Sequence, residues 1–149
     1  LSPEELLEHW QGHRRLTRRT TEAYPEDQLF SYKVEGMRTF AELVLEVTGM
    51  VEPTLRGLLG EGWDWPGPKK PETKAELLEA YDGATAFLEE NWSAIPASRF
   101  HEVMTAFGQW TMPGANLVLY LVDNEIHHRA QGYVYLRLLG VEPPAFYER

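Results

Sequence analysis

The chain has 149 residues, enough for one domain with its own hydrophobic core. Its 14 Lys and Arg against 23 Asp and Glu give a formal net charge of −9, which disfavours nucleic acids and anionic membranes as partners. The sequence contains no Cys, so disulfide scaffolds, thiolate zinc sites and cysteine nucleophiles are excluded. Residues 1–5 indicate a helix start instead of a signal peptide, and the apolar run 117–122 is too short to span a bilayer. We therefore expect a cytoplasmic protein with one domain over residues 1–149.

Hydrophobic periodicity predicts two helices in the first part of the chain. The first helix begins after Ser2, a good N-cap, and runs to about Tyr24. The second begins near Gly36 and ends at Gly60, with a kink expected at Pro53, because proline cannot donate the helical hydrogen bond. The Gly- and Pro-rich segment that follows predicts an irregular loop.

Two more helices are predicted in the second part. Thr73 caps the third helix, with Glu76 at the matching capping-box position, and the fourth covers residues 113–139. Residues 98–111 fit either a short helix or an extended segment that turns at Gly108. No stretch alternates with period two for long enough to predict a sheet. The predicted fold class is all-α, a four-helix bundle with a long crossover at residues 93–113.

The last helix has an inward stripe with a polar centre. Its middle positions are Asn124, His128 and Gln131, and burying three such groups without partners would cost several kcal/mol. They must therefore bind each other, water, facing side chains or a metal ion, and both a polar layer and a metal site remain open. The full stripe is Leu117, Leu121, Asn124, His128, Gln131, Tyr135 and Leu138.

Other helices offer partners for this polar centre. Glu46 lies at the edge of the apolar stripe of the second helix, and with His128 and the Asn124 amide it would form a mixed N/O cation site. His13 falls on the inward stripe of the first helix, and His9 four residues earlier makes a rival zinc pair. Two further residues of the last helix flank its stripe and are candidates for the pocket: Glu125 and His127.

The C-terminal segment resembles the DinB/YfiT-like superfamily. Residues 124–131 read Asn-Glu-Ile-His-His-Arg-Ala-Gln, where that superfamily has a His-x-x-His-His-Arg-Gly-Gln signature. Tyr-Leu-Arg at 135–137, Gly140 and the Pro-rich residues 143–147 continue the resemblance. It is specific over about residues 115–147, and as an outline it covers most of the chain.

The resemblance implies a four-helix bundle with a long crossover and a metal site made by three His. One ligand comes from the second helix and two come from the last helix. On this sequence only His128 matches as a His, with Asn124 and Glu46 at the other two positions. His127 matches a signature His that is not normally a direct ligand. Exchanging two imidazoles for an amide and a carboxylate should weaken zinc or nickel binding and shift the preference toward harder ions such as manganese, or abolish the site.

Two functions follow from the resemblance and the residues. One is a metal-dependent enzyme, such as a thiol-dependent S-transferase, that holds a divalent transition metal at Glu46, Asn124 and His128 and takes a low-molecular-weight thiol. The alternative is a non-catalytic stress-response bundle in which the same residues form a hydrogen-bonded core and a small ligand binds. Trp63, Trp65 and the aromatic C-terminal tail would either cover a second copy in a homodimer or cap the ends of the bundle.

Overall fold

The computed structural model describes residues 1–67 and 69–149, and its first helix follows the sequence prediction closely. Helix α1 covers Pro3–Glu22. The Ser2 hydroxyl accepts from the Glu5 amide and the Glu5 carboxylate accepts from the Ser2 amide, so the capping box is complete. The predicted inward stripe of α1 is buried along its length: Leu6, Trp10, His13, Thr17 and Thr20.

A short helix that was not predicted, α2 (Glu26–Ser31), follows α1. The second predicted helix is in fact two shorter ones, α3 (Phe40–Gly49) and α4 (Val51–Leu58). The predicted start near Gly36 was wrong, because Gly36 has a φ of 82° in the preceding loop. Thr39 is the N-cap of α3 and closes a capping box with Glu42, a signal that the periodicity argument overlooked.

The break between α3 and α4 lies at Met50 rather than at Pro53. Pro53 sits in the first turn of α4, where its missing N–H would have had no helical partner. The proline therefore starts a helix here instead of kinking one. Met50 and Thr54 line the same cavity as Glu46 of α3.

Helix α5 (Lys74–Asn91) begins at the predicted cap, with the Thr73 hydroxyl accepting from the Glu76 amide. The reciprocal half of the predicted box is absent, because the Glu76 carboxylate accepts from the Glu72 amide instead. Two 3₁₀ turns, Trp92–Ala94 and Ala97–Phe100, carry the chain away from α5.

A small β-hairpin follows, and the prediction that no sheet forms was wrong. Strands β1 (Val103–Ala106) and β2 (Trp110–Pro113) pair antiparallel. Four-residue strands are too short to show a period of two, but the extended alternative for residues 98–111, with its turn at Gly108, is confirmed over the hairpin. The turn carries Phe107 and Gly108 at positive φ, 53° and 68°, as the tight hairpin twist requires.

Helix α6 (Gly114–Leu138) is the longest helix and packs against both α1 and α3. With α1, α5 and the broken α3–α4 helix it completes the predicted four-helix bundle. Leu138, predicted to face inward, is 60% exposed. The helix instead buries a second stripe that the sequence analysis did not separate from the first: Val118, Val122, Glu125, Arg129, Gly132 and Leu136. None of the helices in the described residues has the length and apolar character needed to cross a membrane.

Candidate functional site

Glu46 of α3 and His128 of α6 meet in a half-buried polar cluster. Nε2 of His128 lies 2.6 Å from Oε2 of Glu46, and the Asn124 amide donates to the same oxygen at 3.3 Å. On its far side the His128 ring is held by Gln131, whose Oε1 lies 2.8 Å from Nδ1. The three polar residues of the predicted stripe are thus brought together with Glu46. We call Glu46, Asn124, His128 and Gln131 the Glu46 cluster.

Glu46 is the charged member of this cluster that reaches solvent. Its side chain is 34% exposed, and Arg38 donates to its other oxygen, Oε1, at 3.1 Å. Partial burial raises the pKa of Glu46, but hydrogen bonds from Arg38, Asn124 and His128 outweigh burial, so the pKa lies below its ordinary value. The carboxylate is therefore ionised at neutral pH.

A cavity of about 570 Å³ opens beside Glu46. Its walls come from α3 and α4, from the loop after α4, from the β-hairpin and from the first turns of α6. Glu46 is the only ionisable acid or base among its described lining residues apart from the Tyr120 phenol. The remaining lining is mostly aromatic or apolar: Met50, Trp63, Trp65, Phe107, Trp110, Met112, Leu117 and Leu121, with Thr54 and Gln109.

The aromatic side chains of this cavity are packed edge to face around Phe107. The Phe107 ring centroid lies 5.2 Å from that of Trp63, 5.7 Å from that of Trp65 and 6.3 Å from that of Trp110, with interplanar angles between 71° and 86°. Gly57 makes room for Trp63, since a Cβ there would lie 2.1 Å from its ring. The sequence predicts that Trp63 and Trp65 cover a second copy or cap the ends of the bundle. It gives no sign that they share a cavity with the hairpin, because no local pattern links segments so far apart.

Glu125 lies in a different cluster, on the side of α6 that faces α1 and α5. It is 1% exposed and accepts from Tyr81 at 2.5 Å, from Trp10 at 3.2 Å and from Arg14 at 3.5 Å. Arg14 is equally buried and also donates to Thr85 and to the Tyr81 carbonyl. Burial raises the pKa of Tyr81 well above its usual value, so its hydroxyl remains a donor to the carboxylate.

His13 belongs to this second cluster as well. Its Nδ1 accepts from Arg129 at 2.9 Å, and Arg129 also donates to the His13 carbonyl and the Thr17 hydroxyl. Burial, followed by the charge of Arg129, lowers the pKa of His13 to about 4, so the imidazole is neutral. We call Trp10, His13, Arg14, Thr17, Tyr81, Thr85, Glu125 and Arg129 the Glu125 cluster. The structure therefore separates Glu125 and His13 from Glu46, although the sequence analysis grouped them at one pocket.

The other histidines of the sequence analysis lie at the surface. His127 is exposed on α6, and its ring packs against that of His128 with centroids 5.1 Å apart. His9 is exposed, and its ring meets the buried His13 edge to face. Neither residue lines the cavity beside Glu46.

The Glu46 cluster does not fit a three-ligand metal centre in its present arrangement. Oε2 of Glu46 is bound by His128 and Asn124, and Asn124 presents its NH₂ group, not its oxygen, to the carboxylate. Over residues 1–67 and 69–149, no buried side-chain nitrogen or oxygen lacks a hydrogen-bond partner, and no group of three or more His, Asp or Glu is placed to hold an ion. The metal prediction stays a prediction.

A second, more open groove of about 960 Å³ lies between the α3–α4 region and α5. It carries both signs of charge, and Arg56 at its edge is already paired with Glu52 and Glu61. Because many of its lining residues are charged and exposed to solvent, this groove lacks the apolar enclosure typical of small-molecule sites. The cavity beside Glu46 is the stronger candidate.

Comparison with known proteins gives one consistent result. The sequence model of the DinB family matches residues 2–149. An uncharacterized protein, YjoA of Bacillus subtilis (strain 168), is 26% identical over 150 residues, which cover 97% of this chain and 96% of that protein.

Two crystal structures have the same fold. A DinB-like protein from Bacillus cereus ATCC 10987 matches with a TM-score of 0.77 at 20% identity and covers 97% of each chain. The crystal structure of B. subtilis YjoA, also described as DinB-like, matches with a TM-score of 0.76 at 17% identity over 97% of this chain and 99% of that one. At these identities the two structures establish the bundle and leave the chemistry of the site to this chain's own residues.

Proposed function

The chain belongs to the DinB family, and we propose that it binds a small, largely apolar or aromatic molecule in the cavity beside Glu46. The observation that carries this proposal is the cavity itself, whose volume of about 570 Å³ falls within the range of small-molecule sites. Its walls supply apolar contact, and Glu46 at one end supplies a fixed charge that would orient a bound molecule.

The Glu46 cluster supports this role by holding the carboxylate in place. His128 and Asn124 fix Oε2, and Gln131 fixes the ring of His128 from behind. A carboxylate has about four lone-pair positions, and hydrogen bonds from the protein occupy three of those of Glu46. The fourth is available to a donor group of a ligand in the cavity.

A neutral fluorescent dye tests the proposal. N-phenyl-1-naphthylamine should bind with enhanced emission, and Met112→Trp, which fills the cavity from β2, should weaken binding by at least about tenfold, since about 1.4 kcal/mol of apolar contact is lost. Val103→Trp is the matched control, because Val103 lies on the neighbouring strand, is 63% exposed and does not line the cavity. Equal affinity of the dye for both variants would overturn the proposal.

The second candidate is the divalent-metal protein of the sequence analysis, whether a thiol-dependent S-transferase or another metal-dependent enzyme. One feature favours it: Gln131 fixes the His128 ring from the Nδ1 side, an arrangement in which metal-binding imidazoles are commonly held. His128, Glu46 and Asn124 would then hold the ion, which would supply a positive charge able to stabilise a thiolate.

Elemental analysis of untagged protein separates the two candidates. The cavity proposal predicts no stoichiometric zinc, nickel or manganese, and residual metal that is unchanged in His128→Ala. About one equivalent of metal that is lost in both His128→Ala and Glu46→Ala would establish the metal centre instead. Thiol transfer to electrophiles would then be the activity to measure.

A further inference from the structure

The charges around the cavity suggest which ligands it takes, an argument that rests on the proposed function. Glu46 is ionised, and no Lys, Arg or His is found among the described residues that line the cavity. A bound anion would therefore face a carboxylate and the electron-rich faces of several indoles, both of which repel it. The formal net charge of −9 adds a long-range attraction for cations.

The aromatic walls of the cavity are also suited to a positively charged ligand. Trp63, Trp65 and Trp110 stand nearly perpendicular to Phe107, with centroids 5.2 to 6.3 Å from its own, and all four rings line the cavity. Indole faces attract ammonium groups more strongly than other aromatic side chains do, and such enclosures bind methylated ammonium ions. Trp65 and Trp110 are each 50% exposed, which leaves ring surface free for a ligand.

Arg38 shows that Glu46 accepts an organic cation. Its guanidinium donates to Oε1 of Glu46 at 3.1 Å, yet its side chain is 47% exposed. An exposed ion pair of this kind contributes little stability, so it can give way to a competing cation. Asn124 and His128 bind the other oxygen, so Oε1 is the atom that a ligand would reach.

We infer that the cavity beside Glu46 binds an organic cation, an ammonium or quaternary ammonium group carried on an apolar or aromatic body. The cationic group lies between the indole faces and Oε1 of Glu46, and the apolar body contacts Met112, Leu117 and Leu121. Arg38 competes with the ligand for the carboxylate. No covalent step is involved.

Displacement of the neutral dye by three related compounds tests the charge preference. Benzyltrimethylammonium should compete at least about tenfold more strongly than neopentylbenzene, its isostere with carbon in place of nitrogen, and phenylacetate should compete least. Equal or stronger competition by neopentylbenzene or phenylacetate would overturn the inference. The proposed function would still stand in that case, because these competition data do not test it; it fails if Met112→Trp leaves the affinity for the dye unchanged.

Variants assign the preference to individual groups. Glu46→Gln should weaken the binding of benzyltrimethylammonium by about tenfold and change the affinity for neopentylbenzene by no more than about twofold. Arg38→Gln should increase the affinity for benzyltrimethylammonium, since it removes the competing charge. If the site were one for anions, the same change would weaken the binding of an anion. If Glu46→Gln fails to fold, Trp65→Leu provides the test. Loss of this half-exposed indole should weaken the binding of benzyltrimethylammonium more than that of neopentylbenzene. The assignment would be overturned if the preference for benzyltrimethylammonium over neopentylbenzene were unchanged in both Arg38→Gln and Glu46→Gln. If Glu46→Gln does not fold, Trp65→Leu takes its place in this comparison.

Discussion

The two polar clusters on different faces of α6 contain the same kinds of groups in contrasting settings. Around Glu125 the carboxylate is 1% exposed, and Trp10, Arg14 and Tyr81 surround it. Around Glu46 the carboxylate is 34% exposed and borders a cavity. The Glu125 cluster is closed to solvent and its polar groups bind each other, so no group in it is available to a ligand.

The comparison teaches that burial and polarity alone do not identify a functional residue. The Glu125 cluster is the more deeply buried of the two, and it has the stronger perturbation of a titratable group, the pKa of His13 at about 4. Its partners nevertheless join α1, α5 and α6 across the bundle, as a polar element of the core would. Access from a cavity distinguishes Glu46, and that access is a property of the tertiary structure.

The largest expected effect is the loss of the Glu125 charge. Glu125→Gln leaves the Arg14 guanidinium buried without its counter-charge and turns an amide NH₂ toward a donor, Arg14 or Trp10 on one side or Tyr81 on the other. Breaking a buried pair in this way costs about 3–5 kcal/mol of unfolding free energy. Urea denaturation measures this cost, and a loss below about 1 kcal/mol would contradict a structural role.

Acid should act on the Glu125 side through His13. Its pKa is about 4 in the folded protein and about 6.5 in the unfolded chain, so the unfolded state takes up the proton first as the pH falls. The stability that His13 contributes is complete above pH 6.5 and is lost between pH 6.5 and 4, a total of about 3 kcal/mol.

The control for this prediction is His13→Gln, which cannot titrate. Its unfolding free energy should decline less between pH 6.5 and 5 than that of the wild type. Parallel curves for the two proteins in urea denaturation would show that His13 does not carry the acid sensitivity.

The smallest effect on stability is expected at Glu46. Glu46→Gln removes a partly exposed ion pair with Arg38 and the charge that strengthens the hydrogen bonds from Asn124 and His128, so it should cost about 1 kcal/mol or less. The same substitution at two positions thus separates a structural carboxylate from a ligand-binding one. A loss at Glu46 that equals the loss at Glu125 in the same denaturation experiment would remove the distinction between the clusters.

The sequence predicts the bundle well because each helix carries local signals of where it begins and which face it buries. Capping signals at Ser2 and Thr73 and the polar centre at Asn124, His128 and Gln131 can be read from short segments. The match to the inward stripe fails at Leu138, which is 60% exposed although Tyr135 and Leu136 are buried. The sequence pattern also does not reveal the second buried stripe of α6, because a helix packed on two sides has no single apolar face.

The cavity could not be predicted in the same way. Trp63 and Phe107 come from a loop and a hairpin turn more than forty residues apart, and no periodicity relates them. Arg14 and Arg129 were overlooked as buried groups, because arginine is seldom buried unless a partner is present and the partners are on other helices. Pairing across helices, which sequence alone does not reveal, decides which cluster of α6 each residue joins.

The most direct test uses the five tryptophan side chains as reporters of both regions. Indole N–H signals in a two-dimensional ¹H–¹⁵N spectrum are followed while benzyltrimethylammonium is added. The account predicts shifts for Trp63, Trp65 and Trp110, which line the cavity, and none for Trp10 and Trp92, which donate to Glu125 and to the Pro3 carbonyl. Shifts confined to Trp10 or Trp92, or no shift among the three cavity indoles, would contradict it.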